Sequence, residues 1–387
     1  MRFPEFSGEW EKVKLGDSCT FFSGGTPPSS RKEYYCGDIP FIRSGELHSD
    51  STALSITKEA FASCSAKMVN NGDLLLALYG ATSGDISISR INGAINQAIL
   101  CIRPKHLNTY FIKSLWESHK KQILETYLQG GQGNLSSEII KNISFMFPNI
   151  EEQNKISELV RKIDKRIETQ SKIIEELKTL RSALSESLYY DCDSFQEMSF
   201  NDIGECYSGL SGKSSEDFGS GYPFVPYTNI FANDVIDENQ FEYVQIHEDE
   251  SQNTVHYGDL LMTLSSETPE EVGIGSVYLG SESHLYLNSF AFGIHITRTD
   301  LVYPPYLSWL VSTKSFRKFI LPFAQGSTRY NLQKTDFMKA KYRFPTLERQ
   351  KTIYKLLSSY SSKIANEEKI LDLYQFQKQG LLEQMFI

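Results

Sequence analysis

The sequence lacks the features that mark membrane, secreted and disulfide-stapled proteins. It contains no run of about 18 apolar residues, which argues against a membrane span, and its first residues have no apolar core of the signal-peptide type. The six cysteines are scattered and form no CxxC pair, a pattern that favours a reducing environment over a disulfide framework or a zinc site. We therefore expect a cytoplasmic protein.

Motifs for catalysis are also missing. The sequence has no GxxxxGK[ST], no HExxH and no GxGxxG after a predicted strand. The Asn-Pro-Pro-aromatic motif of amino-methyltransferases does not occur either. The seven histidines are far apart in the chain, and their spacing suggests no metal site. We expect neither a catalytic residue nor a bound metal, which leaves a binding role.

Positive charge is scarce, especially in the second half. The 387 residues carry 39 Lys+Arg against 48 Asp+Glu, and none of the positive side chains lies between Lys213 and Arg298. Proteins that grip DNA through many phosphate contacts are normally basic. Charge alone therefore argues against DNA binding, whereas the length and the 40% hydrophobic content allow two ordinary globular domains.

One long helix dominates the sequence. It is predicted to begin near Asn149, which forms a capping-box pattern with Glu152. No Gly or Pro interrupts the pattern as far as Leu188. Seam positions recur at alternating spacings of four and three, the period of a coiled coil. These positions are Ile156, Val160, Ile163, Ile167, Gln170, Ile174, Leu177, Arg181, Leu184 and Leu188.

The same helix is repeated at the end of the chain. FPNIEEQNKI, from Phe147, returns as FPTLERQKTI, from Phe344, with an offset of 197 residues. The two polar residues of the first seam have polar counterparts in the second: Gln170 corresponds to Glu367, and Arg181 to Lys378. The offset maps the seam onto Ile353, Leu357, Tyr360, Ile364, Glu367, Leu371, Tyr374, Lys378, Leu381 and Met385.

The segments before the two helices repeat each other as well. GDLLLALYG is answered by GDLLMTLSS, INQAILCI by LNSFAFGI, and GGQGNL by GSTRYNL. Short strand-like runs bounded by Gly, Asn and Ser, followed by a helical segment, indicate an α+β domain. We expect a tandem duplication of one unit, an α+β domain followed by a long helix. The predicted domains are 1–148 and 191–345, and the predicted long helices are 149–190 and 346–387.

This duplicated order resembles the specificity subunit of type I restriction–modification systems. The resemblance covers essentially the whole chain. It is carried by Phe147-Pro148 with Glu152-Gln153 and Ile156, by Phe344-Pro345 with Gln350 and Ile353, by Asn134-Leu135 and Asn331-Leu332, and by Gly72-Asp73-Leu74-Leu75. The second copy departs from the first at Arg349, which replaces a glutamate, and at Asn288-Ser289, which replaces Asn96-Gln97.

The resemblance implies a non-catalytic reader of DNA. Two target-recognition domains would each read one half of a split duplex target, held apart by an antiparallel coiled coil with pseudo-two-fold symmetry. Two methylation subunits would methylate adenine N6 with S-adenosylmethionine, and restriction subunits would use ATP and Mg; this chain itself would carry no cofactor. Partner subunits could then supply the phosphate contacts that its own charge lacks.

Two other classes of function remain open. One is a self-contained DNA methyltransferase or nuclease, against which the missing cofactor motifs speak. The other is a coiled-coil scaffold with no role in DNA binding. Methylation by the chain without partners would indicate the first, and a failure to shift duplex DNA with or without methylation subunits would indicate the second.

Base edges in the major groove suit Arg, Lys, Asn, Gln, Ser and Thr in loops. In the first domain the candidate DNA-binding residues are Thr26, Arg43, Ser44, Tyr79, Thr82, Gln97, Gln132 and Asn134. In the second they are Lys213, Tyr227, Thr228, Asn229, Ser265, Ser266, Arg329 and Asn331. The alternative for each is a turn or cap residue, and Asn134 and Asn331 could equally cap turns. The tyrosines are expected to pack more than read.

Two further expectations concern the long helices. Charged residues off the seam are candidates for a partner surface: Glu151, Glu152, Lys155, Lys162, Arg166 and Lys172. In an antiparallel pair, facing residue numbers have a constant sum. A sum of 548 sets Gln170 against Lys378 and Arg181 against Glu367, so polar residues face each other, whereas a sum of 541 sets them against apolar ones. We therefore predict the 548 register.

Overall fold

The chain forms two compact units, each containing parts of both long helices. The computed structural model describes residues 2–128, 134–192 and 194–386. One unit comprises Met1–Lys172 with Lys369–Ile387, and the other comprises Ile173–Glu368. Within the described ranges, no helix is both long and apolar enough to cross a membrane.

The globular part of the first unit is a mixed α+β structure that precedes the first long helix. Its elements are β1 (Glu11–Lys14), α1 (Leu15–Ser18), β2 (Cys19–Ser23), β3 (Ile39–Ile42), β4 (Ser55–Ile56), α2 (Lys58–Ala62), β5 (Lys67–Val69), β6 (Leu74–Ala77), β7 (Ile86–Ile88), β8 (Gly93–Ile95), β9 (Ile99–Pro104), α3 (Thr109–Leu128), α4 (Ser137–Asn142), β10 (Ser144–Phe147) and α5 (Ile150–Tyr190). Short 3-10 turns at Lys32–Tyr35 and Ser44–Glu46 complete it.

Two four-stranded sheets build this part, in the orders β2-β9-β6-β7 and β4-β3-β8-β5, and β1 pairs with β10 beside them. The apolar run in β6 is continuous because both of its faces are buried. Leu74 and Leu76 pack in the core that contains Trp116 of α3, whereas Leu75 packs with Ile95 of β8 in a separate core. Strand β6 is therefore covered on both sides, by α3 and by the second sheet.

The second unit repeats this plan. Its elements are β11 (Phe195–Ser199), α6 (Phe200–Ile203), β12 (Gly204–Ser208), β13 (Phe218–Val225), α7 (Tyr227–Ala232), β14 (Glu242–Val244), β15 (Leu260–Thr263), β16 (Ser265–Ser266), β17 (Gly275–Val277), β18 (Tyr286–Leu287), β19 (Ala291–Ile296), α8 (Pro304–Leu310), α9 (Lys314–Ile320), β20 (Ala324–Gln325), β21 (Tyr330–Leu332), α10 (Lys334–Lys339), β22 (Lys341–Pro345) and α11 (Leu347–Met385). The sheet β12-β19-β15-β17 corresponds to β2-β9-β6-β7, and β14-β13-β18 corresponds to β4-β3-β8; β16, β21 and β20 form a further small sheet. The predicted α+β fold with a duplicated domain is confirmed.

A buried glutamine fixes the first turn of each long helix to its own globular part. Gln153 of α5 accepts from the backbone N–H of Asn108 (3.0 Å) and donates to the carbonyl of Pro148 (2.8 Å). Gln350 of α11 accepts from the N–H of Tyr303 (2.8 Å) and donates to the carbonyl of Pro345 (2.8 Å). The repeated glutamine of the FPNIEEQ and FPTLERQ motifs is therefore an anchor between helix and domain.

The predicted 548 register is wrong within the first unit. Ile156 and Val160 of α5 share one core with Leu381 and Met385 of α11, as a sum of 541 requires. Lys378 lies 2.8 Å from Asp164, next to the position that the 541 register assigns to it and about two turns from Gln170. The two helix segments run antiparallel here, because residue numbers rise along one as they fall along the other.

The second unit shows the same register. Leu184 and Leu188 of α5 pack in the core that contains Ile353 and Leu357 of α11, which again are 541 partners. Arg181 donates to Ser361 (3.1 Å) instead of facing Glu367. All the seam positions named above are buried or half-buried.

The register differs from the prediction because the two basic seam residues, Lys378 and Arg181, find partners beside the seam. Lys378 reaches Glu117 of α3 as well as Asp164, both at 2.8 Å. Arg181 lies over the ring of Trp309 of α8, with 5.2 Å between guanidinium and ring centroid. Since each cation is neutralised or stacked from the side, the helices need not set polar residues against one another.

Candidate nucleic-acid interface

In the first unit the candidate residues follow strand ends that meet at one edge. Strands β3 and β8 are parallel, with Ile42 beside Ile95, so the residues after each strand emerge together. The N–H of Asn96 donates to the carbonyl of Ile42 (3.3 Å), and the N–H of Gly25 donates to that of Ile95 (3.2 Å). Three separate loops are thereby tied to a single edge.

Further backbone hydrogen bonds bring in the remaining loops. The N–H of Leu78 donates to the carbonyl of Ala98, and the N–H of Leu135 donates to that of Leu78, both at 2.8 Å. These bonds join the loop after β6 and the segment at Asn134 to the same edge. We call this set of loops the first loop cluster: residues 24–26, 43–46, 78–84, 96–98 and 134–135.

The described candidate side chains of the first loop cluster are exposed or half-buried, and some already make contacts. Thr26 donates to the amide oxygen of Gln97, and both residues are exposed. Arg43 is exposed but its guanidinium pairs with Glu46 at 3.1 Å; hydrogen bonding and the charge of Glu46 raise the pKa of Arg43. Asn134 is exposed, Ser44, Tyr79 and Thr82 are half-buried, and Gln132 lies outside the described residues.

Gly24 has a steric role at this edge. A Cβ on this residue would overlap the backbone carbonyl of Ile95, so the loop after β2 can lie against β8 only without a side chain. The Gly24-Gly25 pair therefore holds Thr26 beside Gln97.

The second unit carries the same backbone frame. The N–H of Asn288 donates to the carbonyl of Val225 (3.1 Å), matching Asn96 and Ile42. The N–H of Leu264 donates to Phe290 (2.9 Å) and that of Leu332 to Leu264 (2.8 Å), matching the bonds at Leu78 and Leu135. We call these loops the second loop cluster: residues 209–213, 226–228, 264–271, 288–290 and 326–332.

The second loop cluster surrounds a cavity of about 980 Å³. Five of the candidate residues line it: Tyr227, Thr228, Ser265, Ser266 and Arg329. Exposed rings also line it, because Phe290 is 55% and Phe231 40% exposed. Asn331 is exposed and lies opposite Ser265 in the pairing of β16 with β21.

Two candidates in the second unit are placed where they hold structure instead of facing a ligand. Asn229 is fully buried; its amide donates to the carbonyl of Asp237 (2.9 Å) and its oxygen accepts from the N–H of Asp237 (3.1 Å). The side chain of Lys213 is 4% exposed and pairs with Glu250 at 2.5 Å. Residue type made both residues candidate DNA contacts; in the structure both side chains are buried and paired within the second unit.

Glu152, expected on an outer helix face, is likewise buried. It has no exposed surface, and its carboxylate accepts two hydrogen bonds from the guanidinium of Arg2, at 2.7 and 2.8 Å. Glu152 therefore ties the start of the chain to the first turn of α5. Because it is buried, it cannot contribute to a partner surface on the outer face of the helix.

Two histidines that are distant in sequence meet at Asp259. Tyr207 donates to one carboxylate oxygen (2.6 Å), the N–H of His256 donates to the same oxygen (2.9 Å), and His295 lies 2.7 Å from the other. Ligand atoms of His256, Asp259 and His295 lie within 4.8 Å of one another, close enough to consider a metal. No spacing in the sequence indicates this convergence, because the strand pairing creates it.

The equivalent position in the first unit explains the cluster differently. There Asp73 accepts two bonds from the guanidinium of Arg103, at 2.8 and 2.6 Å. Arg103 and His295 occupy equivalent positions in their sheets. Arg103 directly follows Ile102, which pairs with Leu74. His295 directly follows Ile294, which pairs with Leu260. His295 thus replaces an arginine that satisfies the aspartate of the Gly-Asp-Leu-Leu motif, and both carboxylate oxygens of Asp259 are already engaged.

Comparisons with known proteins agree with this architecture. The family described as type I restriction modification DNA specificity domain matches residues 7–179 and 193–373. The specificity subunit of the type I restriction enzyme MjaVIII from Methanocaldococcus jannaschii is 23% identical over 95% of this chain and 89% of its own length. A second specificity subunit from that organism, of MjaIX, is 27% identical over 50% of this chain and 47% of its own.

Two solved structures share the fold over almost the whole length. The S subunit of the type I restriction–modification system of M. genitalium has a TM-score of 0.56 and 14% identity, covering 100% of this chain and 99% of that one. A chain from a structure concerning complex assembly and conformational transition of the type I system has a TM-score of 0.59, also at 14% identity, covering 99% and 98%.

The fold therefore defines a protein with two copies of a DNA target-recognition domain, each followed by a long helix. The chain belongs to the type I restriction–modification DNA specificity family, and its class is that of the specificity subunit.

Residue type did not point to two side chains at the interface. Phe290 and Phe231 are not among the polar types expected to contact base edges, yet both are exposed at the cavity. Position relative to the Asn288-Ser289 motif could have identified Phe290, because its counterpart Ala98 lies in the first loop cluster.

Proposed function

We propose that each unit reads one half of a split duplex DNA target through its loop cluster, and that the chain performs no catalysis itself. The observation that carries this proposal is the repeated backbone frame with different side chains on it. Ala98 corresponds to Phe290, Gln97 to Ser289 and Tyr79 to Ser265. A constant frame with variable side chains suits a protein whose two halves recognise different base sequences.

The long helices fit the role of a spacer between the two readers. Helix α5 has 41 residues and α11 has 39, which corresponds to about 60 Å each. We propose that their length sets the number of unread base pairs between the half-targets. One added heptad would lengthen a helix by about 10.5 Å, close to three base pairs at 3.4 Å each.

Methylation subunits are the proposed partners of α11 within the first unit. Ile370, Leu373 and Phe376 are 37%, 65% and 78% exposed and recur every three residues, so they form one apolar stripe. Such exposed apolar surface is typical of a protein interface. The charged residues first considered offer less, since Lys162 and Lys172 already pair with neighbouring glutamates on their own helix.

The remaining chemistry is assigned to partner subunits. We propose that methylation subunits bind S-adenosylmethionine and methylate adenine, and that restriction subunits use ATP and Mg. Partner subunits would also supply phosphate contacts that this acidic chain lacks.

Domain exchange tests the reading role. Residues 1–148 are replaced by the corresponding domain of a related specificity subunit, and the complex with methylation subunits is used to methylate a random duplex library that is then sequenced for modified adenine. Only one half of the motif should change. A matched variant with one heptad added to both long helices should keep both halves and widen the spacer. Change in both halves after the domain exchange would contradict independent reading.

The partner stripe is tested separately. The double variant Leu373→Ser with Phe376→Ser should reduce co-purification with methylation subunits at least about tenfold, because it removes apolar interface area. Tyr257→Ser, at a residue that is 62% exposed elsewhere on the chain, serves as the control. Unchanged co-purification of the double variant would remove this stripe from the interface.

A further inference from the structure

The cavity in the second loop cluster carries an unusual set of charges for a DNA-reading surface. Among the described residues that line it, Arg329 is the one cation, and Glu267 and Glu271 are carboxylates. One positive and two negative groups leave the lining with a net negative charge. Phosphate is therefore disfavoured there, whereas a base edge, which is neutral and carries both donors and acceptors, is compatible with it.

Arg329 is held in place by contacts that leave part of its guanidinium available. Its Nε lies 3.2 Å from Oγ of Ser265, a residue only 5% exposed. Its guanidinium lies over the ring of Phe290, 5.5 Å from the centroid. Arg329 itself is exposed, and its hydrogen bond to a described residue uses Nε, so its two terminal nitrogens can meet an external acceptor pair.

The backbone around Arg329 is also fixed. It lies in the hairpin between β20 and β21, where Gly326 has a φ of +154° and a Cβ on Gly326 would overlap the carbonyl of Arg329. Pairing of Ser265 with Asn331 holds β21 beside β16. The hairpin and the acceptor for Nε thus belong to one small sheet, which preorganises the side chain.

We propose that Arg329 reads guanine in the half-target recognised by the second unit, with Ser265 and Phe290 as positioning residues. This inference rests on the proposed DNA-reading function. A guanidinium whose terminal nitrogens are free matches the adjacent O6 and N7 acceptors of guanine in the major groove, and this pairing is the commonest specific contact to that base. The planar ring of Phe290 limits rotation of the Arg329 guanidinium, so its two terminal N–H donors reach O6 and N7 of guanine together.

The duplication supplies a matched substitution for the test. Alignment of Asn134 with Asn331 sets Gln132 at the position of Arg329; Gln132 lies outside the described residues, so only its sequence position is used. A glutamine amide presents one donor and one acceptor, which matches adenine N6 and N7. Arg329→Gln should therefore shift the preferred base from guanine to adenine at one position.

The experiment uses the full chain in complex with its methylation subunits. Wild type, Arg329→Gln, Arg329→Lys and the control Arg298→Gln each methylate a random duplex library, and modified molecules are sequenced. Arg298 is also exposed, but both of its contacting nitrogens pair with Asp300, at 2.9 and 2.8 Å. Its substitution removes the same charge without touching the cavity.

Guanine should be preferred at one position of one half-target in the wild type, by roughly 10- to 100-fold over other bases. Arg329→Gln should replace that preference with adenine, Arg329→Lys should weaken it, and Arg298→Gln should leave it unchanged. The Arg329 variants should alter only the half-target read by the second unit. That half-target is identified as the one that stays unchanged when residues 1–148 are exchanged.

Several results would overturn the inference. These are an unchanged motif in both Arg329 variants, a change at a base other than guanine, and a change in the half-target that follows residues 1–148. Failure of both variants to assemble while Arg298→Gln assembles would make Arg329 structural and equally overturn it. Absence of any sequence preference in the wild-type complex would instead refute the proposed function, so the two failures are distinguishable.

Discussion

Replacing Lys378 by methionine should destabilise the first unit by about 1–3 kcal/mol. Four charges alternate around a closed ring: Lys378 contacts Asp164 and Glu117 at 2.8 Å each, and Lys113 contacts the same two carboxylates at 3.0 and 2.8 Å. The four side chains are only 11% to 23% exposed. Removing one cation leaves two carboxylates sharing the other. The expected cost therefore lies between that of surface and fully buried ion pairs.

The pKa shifts of Lys378 and Asp164 show that attraction between the opposite charges of the ring outweighs the effect of burial. Burial by itself would lower the pKa of Lys378, but the charges of Glu117 and Asp164 outweigh it and raise this pKa. Burial would raise the pKa of Asp164, but Lys113 and Lys378 outweigh it and lower it. Both partners are thus held in their charged forms, so the interaction stabilises the folded unit near neutral pH.

A double-mutant cycle measures this interaction. Lys378→Met, Asp164→Asn and the pair are made in a Trp309→Phe background, where the remaining tryptophans, Trp10 and Trp116, both belong to the first unit. Urea unfolding followed by tryptophan fluorescence then reports on that unit. The expected coupling free energy is about 1–2 kcal/mol.

An exposed pair on α5 provides the control for the cycle. Lys172 and Glu168 lie 3.1 Å apart and are 62% and 39% exposed, so their coupling should not exceed about 0.5 kcal/mol. A coupling between Lys378 and Asp164 as small as this control would refute the ring. It would also refute the 541 register within the first unit, because the 548 register separates the two residues by about two helical turns.

Three further predictions concern the frame that holds the loops and helices. Gly24→Ala should cost about 3 kcal/mol in thermal unfolding of the first unit, because its Cβ would overlap backbone; an unchanged melting temperature would contradict the close approach. Gln153→Ala and Gln350→Ala should each cost about 1–3 kcal/mol, since each removes the partner of a half-buried N–H and of a buried carbonyl, and each should affect only the unfolding transition of its own unit. Because the folded pKa of Asp164 is lowered, its contribution is present above the usual aspartate value of about 3.9 and is lost as pH falls through the lower folded value; the stability gap between wild type and Asp164→Asn should close in that acid range, and a gap independent of pH would contradict the ion pairing.

Local pattern was sufficient for the large elements. The 3.5-residue period predicted helices over 149–190 and 346–387, and the helices of the structure span Ile150–Tyr190 and Leu347–Met385. Period and caps act within one turn of chain, so sequence reveals them directly. The loop candidates were harder, because the same side chains serve turns and ligands. Asn229 and Asn331 have the same chemistry, but one is fully buried and the other exposed, a difference that depends on residues distant in sequence.

The sequence by itself determined the duplication, the fold class and the long helices, because repeated motifs and periodic apolar positions are properties of the chain. Only the tertiary structure decided the register of the helices and the membership of the candidate interface. Lys378 is satisfied by Glu117, which is 261 residues away in the chain, and Phe290 reaches the cavity through strand pairing. Charge neutralisation and burial depend on distance in space, and no spacing within one segment encodes that distance.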